Sequence, residues 1–338
     1  RTDMKAIIRN LTAGAAMFGA MAAGISAASA DTLKVAAISG YFSQGFGIAI
    51  VNGLKKAEAD MDVEVKIIDT GNRALDYEEQ FNNIAKDGEY DLVFVMGWEL
   101  VDALQKSNAA YPDQRFIFID GILESDTMTY IDFVEEEGSY LVGALTGMLT
   151  EEGVEGFDSG KQVGFIGGRD IPVIRNFLMG YEQGVDDQAD GVSVSSVFSG
   201  TFDDPAKGSE LAMTLYGQGV DVIYQAAGPT GEGVLQAAKV ADKYAVGVDI
   251  DQCPTAPGHI LASMLKRADV AVYDVIKGEV DGSAPVKPGP VSYGVAAGGV
   301  EVKICDDMKD KIPENVTAKL EEVRAGIADG SISVKLNQ

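Results

Sequence analysis

The chain has 338 residues, with 52 acidic against 27 basic side chains and a formal net charge of −25. So acidic a surface repels phosphate backbones, which argues against nucleic acid or an anionic membrane as a partner. Hydrophobic residues make up 46% and charged residues 23%, a globular balance, and the length allows roughly two domains.

Residues 1–30 read as a leader. Met4 is followed by Lys5 and Arg9, then by an apolar stretch from Leu11 to Ala27 and by Ala28-Ser29-Ala30 before Asp31. A basic start, a short apolar core and small residues before the cleavage point make a secretory signal peptide, with Arg1-Thr2-Asp3 preceding the natural start. The mature chain is then expected from Asp31, in the periplasm or outside the cell, with no cysteine at the cleavage point to carry a lipid. It is more acidic still, because the leader holds Arg1, Lys5 and Arg9 against Asp3. Cys253 and Cys305 are the only cysteines. In an oxidising compartment they are either one disulfide or two separate buried thiols, and sequence leaves both open.

The predicted elements alternate strand and helix. Leu33 to Ile38 is an apolar strand closed by Ser39-Gly40, and apolar residues recur at helical spacing from Phe46 to Ala59. Val63–Ile68 is a second strand, Tyr77–Lys86 a helix, and Asp91–Gly97 a third strand followed by a helix to Ala110. Arg115–Asp120 and Thr129–Phe133 complete a first set of strands. After the glycine-rich helix around Gly138–Leu149 the rhythm restarts. Strands at Gln162–Gly168, Val192–Phe198, Val220–Ala226 and Ala245–Asp249 alternate with helices at Val173–Asp186, Pro205–Gly217 and Gly233–Tyr244. A further helix follows at Arg267–Ile276. Strands that are apolar throughout, alternating with helices, imply parallel sheets covered on both faces. Two such sets make two Rossmann-like α/β lobes with a cleft between them. The first is expected over 31–140, with about 253–290 returning to it. The second is expected over 141–252, with a C-terminal segment of about 291–338, and the crossings form a hinge.

Catalytic signatures are absent. The sequence has no Gly-x-Ser-x-Gly, Walker A loop, Cys-x-x-Cys or His-x-x-x-His, and Gly164-Phe-Ile-Gly167-Gly168 lacks the dinucleotide spacing. No catalytic residue, metal or cofactor is expected. His259 is alone in a Pro/Gly loop, and Glu135-Glu136-Glu137 reads as a solvated face with at most one member on the cleft rim. Asp249 and Asp251 would suit a carboxylate pair, without a clustered His, Cys or Lys to make it catalytic.

Recognition residues instead gather at strand ends, where open α/β sheets bind ligands. Phe42, Gln44 and Phe46 follow the first strand, Trp98 the third, and Asp120 the fourth. Phe202 lies in Gly200-Thr-Phe-Asp-Asp204, and Asp249 ends a strand of the second lobe. Aromatic faces can sandwich a planar ring while carboxylates accept hydrogen bonds from hydroxyls or ring N–H groups.

Several stretches in this order carry a resemblance: Phe133-Val-Glu-Glu-Glu-Gly138-Ser-Tyr140-Leu-Val-Gly143, Val163-Gly-Phe-Ile-Gly-Gly168, Ala226-Ala-Gly228-Pro-Thr-Gly231-Glu-Gly233, Gly247-Val-Asp249-Ile-Asp251-Gln252 and Ser263-Met-Leu-Lys266-Arg267. They resemble the basic membrane protein family of ABC-transporter solute-binding proteins, which includes the purine nucleoside receptor lipoproteins, over nearly the whole mature chain. The resemblance implies a type I periplasmic-binding-protein fold that closes on its ligand. It also implies delivery to an inner-membrane permease with a cytoplasmic ATPase, by a monomer. In nucleoside-binding members two phenylalanines sandwich the base, matching Phe46 and Phe202. The ribose-binding aspartate matches Asp249, the ribose-contacting lysine Lys266, and the acid closing the fourth strand Asp120. The glycine that lets backbone approach the ligand matches Gly228. One stretch departs from the pattern. Nucleoside receptors carry Asp-x-Ser-Phe-Asn after the first strand, where this chain reads Ser43-Gln44-Gly45-Phe46-Gly47, so two polar contacts are lost, with Gln44 and Trp98 the candidates to replace them. A purine nucleoside is the expected ligand, a sugar or flavin-type ring the alternative, and a periplasmic nucleoside-processing enzyme the rival class.

Overall fold

A computed structural model describes residues 32–336, except 44, 72, 124 and 158–159. The leader expected over 1–30 and the candidate Gln44 therefore lie outside the described residues. The first strand, β1 (Leu33–Ser39), is followed by α1 (Gly45–Asp60), β2 (Val63–Asp69), α2 (Tyr77–Ala85), β3 (Leu92–Met96), α3 (Val101–Ala110), β4 (Phe116–Ile119) and β5 (Thr129–Phe133). Then come α4 (Glu135–Glu151), β6 (Gln162–Gly167), α5 (Pro172–Gln188), β7 (Ser193–Phe198), α6 (Pro205–Gly217), β8 (Val222–Ala226), α7 (Pro229–Ala241) and β9 (Tyr244–Asp249). The chain continues with β10 (Ile260–Lys266), α8 (Ala268–Val280), β11 (Gly289–Tyr293), β12 (Val300–Ile304) and α9 (Glu314–Asp329).

The strands form two six-stranded sheets, in the orders β11-β5-β4-β3-β1-β2 and β12-β10-β9-β8-β6-β7. The first is parallel throughout. In the second only β12 runs antiparallel, against β10. Every residue of β3, β4 and β8 is buried, as continuous apolar runs must be when helices cover both faces of a sheet. The molecule is thus the two-lobed α/β fold that the alternation implies.

The path between lobes differs from the expected boundaries. The chain first crosses at Val134, so α4 packs from its first turn with α5, α9 and the second sheet rather than joining it at 141. Residues 253–266 also stay in the second lobe: β10 is apolar on both faces and fits only between β9 and β12. The return begins at Arg267, with α8 laid against α1 and β11 paired to β5, and the last crossing spans 294–299. Glycine explains how α4 and α5 pack. A Cβ on Gly143 would stand 2.2 Å from the Tyr181 carbonyl oxygen, and one on Gly184 2.1 Å from that of Tyr140. The two helices meet backbone to backbone, which a larger residue forbids.

Candidate functional site

In both sheets the strand order reverses at the first strand: β1 lies between β2 and β3, and β6 between β7 and β8. Loops leaving the two neighbours diverge there and open a crevice at the carboxyl ends of the strands. The two crevices face one cavity of about 200 Å³. Seven of the nine candidates from sequence line it, Phe46, Trp98 and Asp120 from the first lobe and Phe202, Gly228, Asp249 and Lys266 from the second, whereas Phe42 is buried in the core.

The backbone is specialised where these residues sit. Asp120, directly after β4, and Asp249, the last residue of β9, have φ of 79° and 68°. That left-handed conformation is costly for most side chains but tolerated by aspartate, and it turns each carboxylate out of the sheet. Gly228, which caps α7 with φ 55° and ψ −136°, occupies a region essentially closed to other residues. Phe202 lies so close to the chain after β6 that a Cβ on Gly168 would stand 2.2 Å from its ring. Phe46 opens α1 and meets Phe133 edge-on at 5.7 Å.

Lys266, the last residue of β10, organises one end of the cavity. Only 2% of it is exposed. Its Nζ donates to Asp120 across the cleft and lies 2.7 Å from Glu135 Oε1 within its own lobe. The rings of Phe46, Phe133 and Phe177 surround the ammonium at 4.8, 5.1 and 5.3 Å. Burial opposes its charge, but Asp120, Glu135 and Asp249 outweigh burial and hold the ammonium above its usual range. The carboxyls pay in the other direction, since several share one cation. Burial, reinforced by Asp120 and only partly offset by Lys266, pushes Asp249 up to about 6. Asp132 rises to about 6 for the same reasons. Burial also raises Glu135 above the usual carboxylate range, against the pull of Lys266.

Glu135 and Glu136 correct the expectation of a solvated acidic face: they are 1% and 3% exposed. Their run of three acids looks like a surface, but the partner that buries Glu135 is far away in sequence, beyond any local pattern. Asp251 separates from Asp249, pairing with Lys303 at the surface, so no carboxylate dyad forms. His259 holds Nδ1 3.1 Å from the Lys243 carbonyl. Cys253 and Cys305 form a disulfide with their Cα atoms 5.6 Å apart, which settles the pairing in favour of the bond.

The other end of the cavity contains residues the sequence reading passed over. Tyr41 and Glu99 line it from the first lobe and Arg169 from the second, its guanidinium 5.9 Å above the Phe202 ring. Burial raises the Glu99 carboxyl, and a hydrogen bond from its own backbone N–H and then Arg169 offset part of that rise. Burial and then Glu99 raise the Tyr41 hydroxyl. Trp98 Nε1 and Glu99 Oε1 are buried without a hydrogen-bond partner among the described residues. Their positions were available as a signal, since Glu99 and Arg169 each follow the last residue of a strand by two or three places.

Comparison with known proteins gives the same architecture and a family. The family described as "ABC transporter substrate-binding protein PnrA-like" matches residues 35–338. The "CD4+ T-cell-stimulating antigen" of Listeria monocytogenes is 31% identical, over 77% of this chain and 74% of that protein. The "ABC transporter nucleoside-binding protein BmpA" of Lactococcus lactis is 31% identical, over 78% of this chain and 76% of its own length. A solved ABC-transporter solute-binding protein of Aeropyrum pernix superposes with a TM-score of 0.78 at 25% identity, covering 90% of this chain and 94% of that one. Two lobes flanking a strand-end cavity, and a family match along nearly the whole described chain, place the protein in the Bmp family of ABC-transporter solute-binding proteins.

Proposed function

We propose that the chain captures a purine nucleoside in the interlobe cavity and passes it unchanged to an ABC permease, acting as an exported monomer that needs no metal or cofactor. The observation that carries this reading is the pairing of Phe46 and Phe202, from opposite lobes, with Asp249 and Lys266 at one end of the same cavity. Two rings accept the faces of a base, and a carboxylate beside a buried ammonium suits the vicinal hydroxyls of a ribose, one as acceptor and one as donor. The Lactococcus relative, named for nucleoside binding, supports the same ligand class. In this reading Gly228 lets the main chain come close to the ligand and Asp120 releases Lys266 toward the sugar as the lobes close. Binding alone is supported over turnover because no Ser, Cys or His is among the described residues that line the cavity, while burial raises Asp249 beside Lys266.

Calorimetry and thermal shift against nucleosides, free bases, sugars and flavins test the reading. A nucleoside at 100 times its Kd should stabilise the folded chain by about 2.7 kcal/mol. Chromatography of the released ligand should return intact nucleoside. A sugar or flavin shifting the melt while nucleosides do not would overturn the ligand class, and release of free base would overturn binding without chemistry.

A further inference from the structure

The end of the cavity away from Lys266 is chemically asymmetric. An indole N–H and a guanidinium only donate hydrogen bonds, whereas a carboxylate only accepts. Trp98 and Arg169 therefore offer donors from opposite lobes, and Glu99 offers an acceptor between them in sequence and across the same cavity. The Trp98 and Glu99 atoms named above are buried and unpartnered, and a buried polar atom without a partner is an unrecovered desolvation cost that a ligand can remove. Nor is the indole loosely held. Gly97, at φ 123°, turns the chain sharply after β3, and the indole of Trp98 is clamped edge-on to Phe118 at 5.6 Å. It also covers Gly121, where a Cβ would stand 2.6 Å from Cζ2. Arg169 stands over the Phe202 ring, beside any planar group that stacks on that phenylalanine.

We propose that Glu99 and Arg169, with Trp98, read the edge of the bound base and select a 6-oxopurine, guanine above hypoxanthine, over adenine. The inference rests on the nucleoside reading above. Guanine presents two acceptors, O6 and N7, on one edge, and a guanidinium is the fork that meets both. Beside O6 it presents two donors, N1–H and the exocyclic amino group, which a carboxylate accepts as charge-assisted bonds. Hypoxanthine keeps O6, N7 and N1–H but lacks the amino group. Adenine reverses the pattern: its amino group meets the guanidinium donor to donor, and its N1 lone pair faces the carboxylate. Arg169 is exposed in the ligand-free chain and Trp98 and Glu99 are half-buried, but under a bound base these groups are desolvated, and a mismatch that leaves them unpaired is rejected. Ring N–H donors would also favour the ionised form of Glu99 against the burial that raises it.

The test is calorimetric titration of the full chain, and of Glu99→Gln and Arg169→Met, with guanosine, inosine, adenosine and uridine. Circular dichroism melts serve as a folding control. The wild type should bind guanosine at least tenfold tighter than adenosine, with inosine between them. Glu99→Gln should cost guanosine tenfold or more and adenosine less than threefold, collapsing the preference. Arg169→Met should weaken guanosine and inosine together and leave adenosine nearly unchanged. Equal wild-type affinities for guanosine and adenosine would overturn the inference while leaving nucleoside capture intact. So would a Glu99→Gln loss shared equally by all four ligands, as a merely structural role predicts. Binding of no nucleoside at all would overturn both readings together.

Discussion

The two ends of the cavity are built on opposite principles. Around Lys266 the cation is already partnered: the ammonium bridges Asp120 and Glu135 and is ringed by three aromatic faces. Trp98 Nε1 and Glu99 Oε1 are buried with no partner among the described residues. The first end is organised before any ligand arrives, and a ligand there must trade into an existing network. The second end gains new hydrogen bonds only when something binds. Affinity and folding stability are therefore coupled at the Lys266 end, while discrimination between ligands belongs to the Glu99 end.

The strongest way to break this contrast is to remove the cation. Lys266→Met leaves Asp120, Glu135 and Asp249 facing one another, and loss of one partner from a buried ion pair costs about 3–5 kcal/mol. Denaturant unfolding should show that loss together with loss of ligand binding, whereas Glu99→Gln should leave the denaturation midpoint almost unmoved. Next in size is the disulfide, which ties Cys253, just beyond Asp249, to the end of β12 across 52 residues. Cys253→Ala with Cys305→Ala should lower stability by about 2–4 kcal/mol in the same assay, a size set by the closed loop. Wild-type stability in that double variant would show that the bond contributes nothing to the organised end.

Smaller effects separate contact from organisation. Phe46→Ala and Phe202→Ala should each weaken nucleoside binding by about 1–3 kcal/mol in calorimetry, the range for loss of base–aromatic stacking. Asp249→Ala should weaken it by about tenfold or more, since a charge-assisted bond to a hydroxyl is worth about 1.5–3 kcal/mol. The smallest effect concerns protons. Asp132 and Asp249 keep theirs up to about pH 6 in the folded chain, against 3.8 as the ordinary value. Between those values the folded state holds more protons than the unfolded one, so the share of stability from these groups is full below about pH 4 and is lost as pH rises through 6. Asp249→Asn should accordingly raise the melting temperature of the ligand-free protein at pH 7 by a few degrees, about 1 kcal/mol after screening by water in the cavity, and by nothing at pH 4. An equal gain at both values would remove Asp249 from the titrating set.

The strand-end logic made much of this legible in sequence. Apolar runs such as Leu92 to Met96 can only be strands buried on both faces, and residues just past them line the cavity because sheet order reverses there. Phe46, Trp98, Asp120, Phe202 and Asp249 were found by position alone, and Gly228 and Lys266 through the family motifs that contain them. What escaped was whatever depends on a partner distant in the chain. Glu135 looked solvated because Lys266 is not its neighbour in sequence, and the burial that tunes it belongs to the assembled lobes. Likewise β10 was assigned to the wrong lobe, since only pairing with β9 and β12 reveals that Ile260–Lys266 stays in the second sheet. Glu99 and Arg169 lacked any motif, and only their shared cavity draws attention to them.

The threefold crossing between lobes has a consequence for how the chain is made. The first sheet is closed at its outer edge by β11, and its α1 face is covered by α8, both of which come after every strand of the second sheet except β12. A nascent chain ending before Gly289 therefore carries a first lobe whose β5 edge is bare, a template for pairing with other chains. Neither lobe is a contiguous stretch of sequence, so neither can be excised whole, and the first half cannot finish before the second has been synthesised. Such interleaving delays the native state until nearly all of the polypeptide is present.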